Sequence, residues 1–174
     1  VAEKLSLREW RKHVKFMFAQ MVLFVGWMHR SQHCCNLDVS LENMLITHDV
    51  KMSEKEDSFQ LNKCYIKFID FGLTEQFDMT ENPCFLCNKF VGKQRYKAPE
   101  VYKSKGTFTA NKADIWSLGV CLFMMVIGSP PYDKPIDSDI AFTYVARGRI
   151  SDLCQSWGRL NYLTANLLDL LKKM

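Results

Sequence analysis

Asn36-Leu37-Asp38-Val39-Ser40-Leu41-Glu42-Asn43, with Asp70-Phe71-Gly72 following twenty-seven residues after Asn43, is the stretch whose reading decides the rest of the chain. Neither piece keeps a helical or strand period, which places both in loops. Asp38 and Asp70 offer carboxylates and Asn43 an amide oxygen, hard donors that suit Mg2+. Taken alone, Asp38 and Asn43 also read as loop side chains capping local turns, the commoner use of such residues.

Upstream, Ser6-Leu7-Arg8-Glu9 has capping-box spacing and predicts a helix start. Leu7, Trp10, Val14, Met17, Phe18, Met21, Val25 and Met28 then recur at three- and four-residue intervals, one buried stripe of a long helix reaching about His29. Met44-Leu45-Ile46 and Tyr65-Ile66-Lys67-Phe68-Ile69 read as two short strands. The polar segment 47–63 between them has too few apolar residues to pack and predicts a solvated hairpin extension. Downstream, 71–99 lacks a sustained period and contains Gly72, Pro83 and Gly92, a loop long enough to imply a function. Ala113 to Ile127 is apolar almost throughout and predicts a helix buried on all sides, ended by Gly128 and Pro130-Pro131. Further helices are expected near Asp139 to Ala146 and across Leu163 to Lys173.

With 174 residues, 48% of them hydrophobic and 24% charged, the chain can build one sizeable core. The net charge of +4 comes from 23 basic and 19 acidic residues without a long single-sign run, so nucleic acid is not an expected partner. Seven cysteines, an odd number that includes Cys34-Cys35, fit reduced buried thiols better than a secreted disulfide framework. The expected location is therefore intracellular, in the cytoplasm, with the nucleus left open. The first residues carry no apolar signal region, and the apolar run Leu118 to Ile127, broken by Gly119, is short for a bilayer, so no membrane partner is expected. Composition does not set the oligomeric state.

The opening stretch resembles the catalytic loop of eukaryotic protein kinases, whose pattern is His-Arg-Asp with an Asn five residues after the Asp, followed by the metal-binding Asp-Phe-Gly. Tyr96-Lys97-Ala98-Pro99-Glu100 is similar to the family's Ala-Pro-Glu element. Asp114-Ile115-Trp116-Ser117-Leu118-Gly119 is similar to its buried-helix signature, Gly128-Ser129-Pro130-Pro131-Tyr132 to the turn beyond, and Leu167 to Met174 to a late helix. One such fragment is weak evidence; the set in order is specific. The resemblance implies an α+β, protein kinase-like fold, of which 1–174 is a partial domain: the mainly helical C-terminal lobe with short β-hairpins, ending before the last helix, with the N-terminal lobe absent. It makes 47–63 an insertion and 70–100 the activation segment. ATP, Mg2+ and a protein substrate are the implied partners. Asn43 and Asp70 bind the metal and through it the nucleotide, Asp38 orients and accepts from the substrate hydroxyl, and Gly72, Glu100 and Asp114 are structural. Glu100 pairs in the family with an Arg near the final helix, and Asp114 ties the catalytic loop to its own helix.

Several positions depart from the family pattern. Its His and Arg are Asn36 and Leu37, and Leu37 has no charge with which to hold a phosphorylated activation loop. The Lys usually found two residues after the Asp is Ser40, which removes a cation from the transferring phosphate. Lys93, in Gly92-Lys93-Gln94-Arg95-Tyr96, stands where serine/threonine kinases usually carry Thr. It is the candidate to supply that cation, the alternative being an ordinary exposed lysine. No Gly-x-Gly-x-x-Gly, phosphate-pairing strand Lys or helix Glu is present, so this chain by itself is expected to bind ATP poorly.

Cys84-Phe85-Leu86-Cys87 has the spacing of half a zinc site, but no second Cys/His pair stands at matching spacing, and reduced thiols are expected. His13, His29, His33 and His48 suggest no triad or ligand cluster. The expected activity is transfer of the ATP γ-phosphate to serine or threonine, because Val39 to Asn43 lacks the Ala-Ala-Arg-type insertion of tyrosine kinases and keeps Glu42-Asn43. The rival is a pseudokinase scaffold, against which stands the joint retention of Asp38, Asn43 and Asp70. A small-molecule kinase of the aminoglycoside or choline type shares an Asp-based loop but not Ala-Pro-Glu.

Overall fold

A capping box starts the first helix where the sequence places it. Ser6 Oγ accepts from the Glu9 amide at 3.3 Å and Glu9 Oε2 accepts from the Ser6 amide at 2.9 Å, and α1 runs Leu7–Ser31. The structure is a computed structural model that describes residues 6–48, 64–103 and 106–174. The buried face of α1 is Val14, Met17, Phe18, Met21, Val25 and Met28, six of the stripe residues. Trp10 is half-buried and donates its indole N–H to the Met125 carbonyl at 3.0 Å, which fixes the N-terminal end of α1 against the central helix.

That central helix, α3 (Ala110–Ile127), packs along α1 and joins Leu118, Val120, Cys121, Leu122, Phe123 and Val126 to the α1 stripe in one core. From Ala113 to Ile127 none of its residues is exposed, as the apolar run predicts. It ends at Gly128, whose φ of +80° is left-handed and whose amide donates to the Met124 carbonyl at 2.8 Å. Eighteen residues make α3 longer than the apolar run alone, long enough and apolar enough to cross a membrane, yet most of it is buried inside the protein. Val25 and Leu118 are completely buried, and at about 1.5–3 kcal/mol for each large apolar side chain this seam is the main apolar stabilisation of the fold.

Around the two long helices stand short elements. β1 (Cys34–Cys35) pairs antiparallel with β4 (Glu75–Gln76), β2 (Met44–His48) with β3 (Cys64–Phe68), and β5 (Leu86–Cys87) with β6 (Phe108–Thr109). The register of the middle ribbon sets Met44 against Phe68 and Ile46 against Ile66. Its pairing continues through Thr47, which sits opposite Tyr65, while residues 49–63, most of the expected polar insertion, lie outside the described residues. The sequence reading gives β2 and β3 but not the two-residue ribbons, nor α2 (Pro99–Lys103) and α5 (Ile150–Ser156). The ribbons and α2 are too short to display a period, and α5, as short as α4, lacks the side-chain cap that Asp139 gives α4. α4 (Ile140–Ala146) and α6 (Ala165–Lys173) fall where expected, with Asp139 and Thr164 capping them. Among the described residues the architecture is mainly helical with three small ribbons; α3 holds the 36–43 loop and the 92–97 segment, and the Asn43 carbonyl accepts from the Ile69 amide at 2.9 Å, which ties the chain just before the 70–72 turn to the same loop.

Candidate active site

Asp114, in the first turns of α3 and 1% exposed, is the anchor. Its Oδ2 accepts from the Asn36 amide at 2.8 Å and its Oδ1 from the Leu37 amide at 2.9 Å, while His29 Nε2 stands 2.9 Å from Oδ2. The bond to Leu37 holds it at a left-handed φ of +62°, a conformation that costs a residue with a Cβ about 1 kcal/mol. Asn36, where the family has His, uses its side-chain Oδ1 to accept from the Asp38 amide at 3.2 Å. The loop is thus tied to a buried carboxylate at one end and folded on itself in the middle.

Asp38 and Asn43 meet directly. Asn43 Nδ2 donates to Asp38 Oδ2 at 2.8 Å and to the Asp38 carbonyl at 3.1 Å, across a 3-10 turn over Leu41–Asn43. Lys93 then closes the cluster from fifty-five residues away: its amide donates to Asp38 Oδ1 at 2.9 Å. Its ammonium donates to Asp38 Oδ2 at 2.7 Å, Asn43 Oδ1 at 2.8 Å and Ser40 Oγ at 3.0 Å. Lys93 is therefore not an ordinary surface lysine; its side chain is 37% exposed and that of Asp38 only 10%. The three N–H bonds of the ammonium match three acceptors.

Gly92 makes this approach possible. Its φ is +91°, and a Cβ there would lie 2.4 Å from the Leu37 carbonyl oxygen, closer than any side chain tolerates. The segment that follows is held by α3: Ser117 Oγ donates to the Tyr96 carbonyl at 2.8 Å, one helical turn from Asp114. Trp116 Nε1 donates to Tyr132 Oη at 2.6 Å, and Tyr132 in turn donates to the Lys97 carbonyl at 3.4 Å. One helix face thus positions both the 36–38 loop and the 93–97 segment. Gly92, Ser117 and Tyr132 lie inside the quoted motifs, yet nothing local in the sequence assigns them these contacts. Lys97 is a second cation nearby; burial pushes its pKa below the ordinary lysine value and the charge of Asp38 opposes that shift.

Asp70 is exposed and sits at φ +61°. Its Oδ1 accepts from the Gly72 amide at 3.2 Å, and its other oxygen takes no hydrogen bond from a described residue. A Cβ at Gly72 would stand 3.2 Å from Asp70 Oδ1, so glycine keeps this turn tight. An exposed carboxylate with a free oxygen fits a hard divalent ion. Asn43 does not fit in the same way, because its Oδ1 is already bonded to Lys93.

Glu100 lies exposed in the first turn of α2 and makes no salt bridge among the described residues. Cys84 is exposed and Cys87 buried, so the two thiols do not share a surface. The histidines do include a cluster, contrary to the sequence reading: ligand atoms of His29, Cys35 and Asp114 lie within 4.8 Å of one another. Burial, with the Asp114 charge adding to it, pushes the Cys35 thiol well up, and both Asp114 oxygens are committed to loop amides. This knot is structural, and its parts come from three elements with no common spacing in the sequence.

The geometry agrees with what the chain is similar to. A model of the protein kinase domain matches residues 2–174, and the chain belongs to the protein kinase family. Serine/threonine-protein kinase CHK1 of Saccharomyces cerevisiae is 26% identical over 162 residues, 92% of this chain and 27% of that protein. CBL-interacting serine/threonine-protein kinase 13 of Arabidopsis thaliana is 31% identical over 154 residues, 87% of the chain and 27% of the relative. Serine/threonine-protein kinase chk-2 of Caenorhabditis elegans is 29% identical over 154 residues, 88% and 28% respectively. The chain spans little more than a quarter of the length of these curated relatives. The mainly helical architecture fits a kinase-like fold.

Proposed function

We infer that the protein containing this chain is a serine/threonine protein kinase, and that 1–174 is the helical C-terminal lobe of its catalytic domain, with 70–100 as activation segment and 47–63 as an insertion. The observation that carries this reading is the Asp38 cluster: a nearly buried carboxylate, oriented by Asn43 and Lys93, with the Asn43 carbonyl accepting at 2.9 Å from the amide of Ile69, the residue before an exposed Asp70 with a free oxygen. The three relatives described above are serine/threonine-protein kinases by name, which supports the same choice of hydroxyl. A non-enzymatic scaffold has no need of this combination. The lobe assignment is supported by an apolar face that another part of the domain would cover. Leu23 and Trp27 of α1 and Phe71 are exposed, and Phe24, stacked on Phe68 at 4.3 Å, lies 5.8 Å from the Trp27 ring and 6.2 Å from that of Phe71.

In the proposed reaction a substrate hydroxyl oxygen forms a bond to the γ-phosphorus of ATP as the bond from phosphorus to the bridging oxygen breaks. ADP departs with that electron pair, and the hydroxyl proton passes to Asp38. Asp38 is held for this by its two neighbours: Oδ2 already accepts from both the Asn43 amide and the Lys93 ammonium, while Oδ1, among the described residues, accepts only from the Lys93 backbone amide and keeps a lone pair for the substrate hydroxyl. Mg2+ held by Asp70 would neutralise phosphate charge. Lys93 supplies the positive charge that Ser40 does not. Six thiols, Cys34, Cys35, Cys84, Cys87, Cys121 and Cys154, are free, and reduced cysteines support the reading of an intracellular, cytoplasmic or nuclear, setting.

The test is transfer of labelled γ-phosphate by the full-length protein with Mg-ATP to serine, threonine and tyrosine peptides, beside Asp38→Asn. Transfer to serine or threonine that falls at least about a hundredfold in Asp38→Asn is expected. Absence of transfer together with absence of nucleotide binding contradicts the reading.

A further inference from the structure

We propose that the ammonium of Lys93 occupies the cation seat at Asn43, so that this protein holds its nucleotide with a single divalent ion, at Asp70. The inference deepens the kinase reading and rests on it.

The orientation of the Asn43 amide leaves no other choice of atom. Its Nδ2 donates to the Asp38 carbonyl and to Asp38 Oδ2, so Oδ1 is the only side-chain oxygen that Asn43 can offer a metal, and Lys93 Nζ stands 2.8 Å from it. The same ammonium also holds Asp38 Oδ2 at 2.7 Å and the completely buried Ser40 Oγ at 3.0 Å. Three oxygens from three residues of one loop surround a cation whose three N–H bonds they satisfy, which is what a small oxygen-lined cation site provides.

The seat is set by the backbone and not by a side chain that wandered in. The Lys93 amide is fixed on Asp38 Oδ1 at 2.9 Å, and the segment enters through Gly92 at φ +91°, where no Cβ fits against the Leu37 carbonyl. A divalent ion bonded to Asn43 Oδ1 would sit within a few ångströms of the ammonium, where like charges repel strongly. Ammonium and metal are therefore alternatives at this oxygen. Asp70 differs: it has a free oxygen, is exposed and has no cation bonded to it among the described residues. The Ser40 position, which lacks the family's cation, and the Lys93 position, which gains one, form a single exchange seen from both sides.

The number of bound metal ions tests this without reference to turnover. Mn2+ is titrated into the full-length protein with a non-hydrolysable imido analogue of ATP, and the free Mn2+ signal is followed by electron paramagnetic resonance. The wild type is expected to bind one Mn2+ per complex and Asn43→Ala also one. Lys93→Thr, with its fold checked by circular dichroism, is expected to bind two and to return to one when combined with Asn43→Ala. Two ions in the wild type, or a count in the wild type that falls with Asn43→Ala, overturns the inference and leaves the kinase reading standing. A folded Lys93→Thr protein that stays at one ion overturns it as well. A wild type that binds neither the analogue nor Mn2+ overturns the kinase reading and this inference with it.

Discussion

Lys93 holds both oxygens of Asp38, Oδ1 through its amide at 2.9 Å and Oδ2 through its ammonium at 2.7 Å. A lysine in that position acts on the charge and on the orientation of the carboxylate at once. The amide bond and the Asn43 bond survive truncation of the Lys93 side chain, so the loop keeps its shape without the ammonium. Lys93→Ala is accordingly expected to lower stability by about 1 kcal/mol or less, because the lysine end of the pair is partly solvated. Its transfer rate is expected to fall about a hundredfold or more. Urea unfolding and steady-state kinetics on the same preparation separate the two effects.

Asp114 bears the loop. Asp114→Ala strands the buried amide of Asn36 and the half-buried amide of Leu37 and removes the partner of His29. Loss of about 3–5 kcal/mol is expected from the uncompensated buried groups. Asp114→Asn keeps one good acceptor and is expected to lose less. Chemical denaturation of both variants checks the order.

Gly92→Ala puts a methyl group 2.4 Å from the Leu37 carbonyl oxygen and a side chain at φ +91°. The backbone has to move, and about 2–4 kcal/mol of destabilisation is expected. Since Lys93 is the next residue, transfer should fall with it even under conditions where the variant remains folded, as followed by circular dichroism.

The thiols divide by burial. Cys84 is exposed, while Cys35, Cys121 and Cys154 are completely buried. Burial is the leading cause that raises the Cys35 and Cys121 thiols above the ordinary value near 9. Groups raised in the fold stay protonated while the unfolded chain loses its protons. The stability they contribute is therefore full below about pH 9 and declines as the pH rises above it, at about 1.4 kcal/mol per pH unit for each group. Iodoacetamide at pH 8 is expected to label Cys84 first and to reach Cys35, Cys121 and Cys154 only on unfolding, which peptide mass spectrometry reads directly.

The long elements were legible in the sequence because they repeat. The three- and four-residue stripe of α1, the capping box at Ser6 and the unbroken apolar run of α3 each write a physical requirement several times over. α2 and α5, at five and seven residues, do not. At the site, order of motifs brought Asp38, Asn43, Asp70 and Asp114 to attention, and the departure at Ser40 pointed to Lys93. What could not be read is contact across the chain. His29 meets Asp114 eighty-five positions away, and the left-handed Leu37 follows from the Asp114 bond and the approach of Gly92, neither of which leaves a local pattern. The competition between Lys93 and a metal at Asn43 Oδ1 became visible only with the amide orientation in view.

Moving the cation back tests the central claim most directly. The turnover number of the full-length protein is measured for the wild type, Lys93→Thr and the double variant Ser40→Lys/Lys93→Thr under saturating Mg-ATP and peptide. If Lys93 supplies the charge that the loop position lacks, Lys93→Thr loses about a hundredfold or more and the double variant regains most of it. A Lys93→Thr protein that turns over at the wild-type rate, or a folded double variant as slow as the single one, contradicts the account.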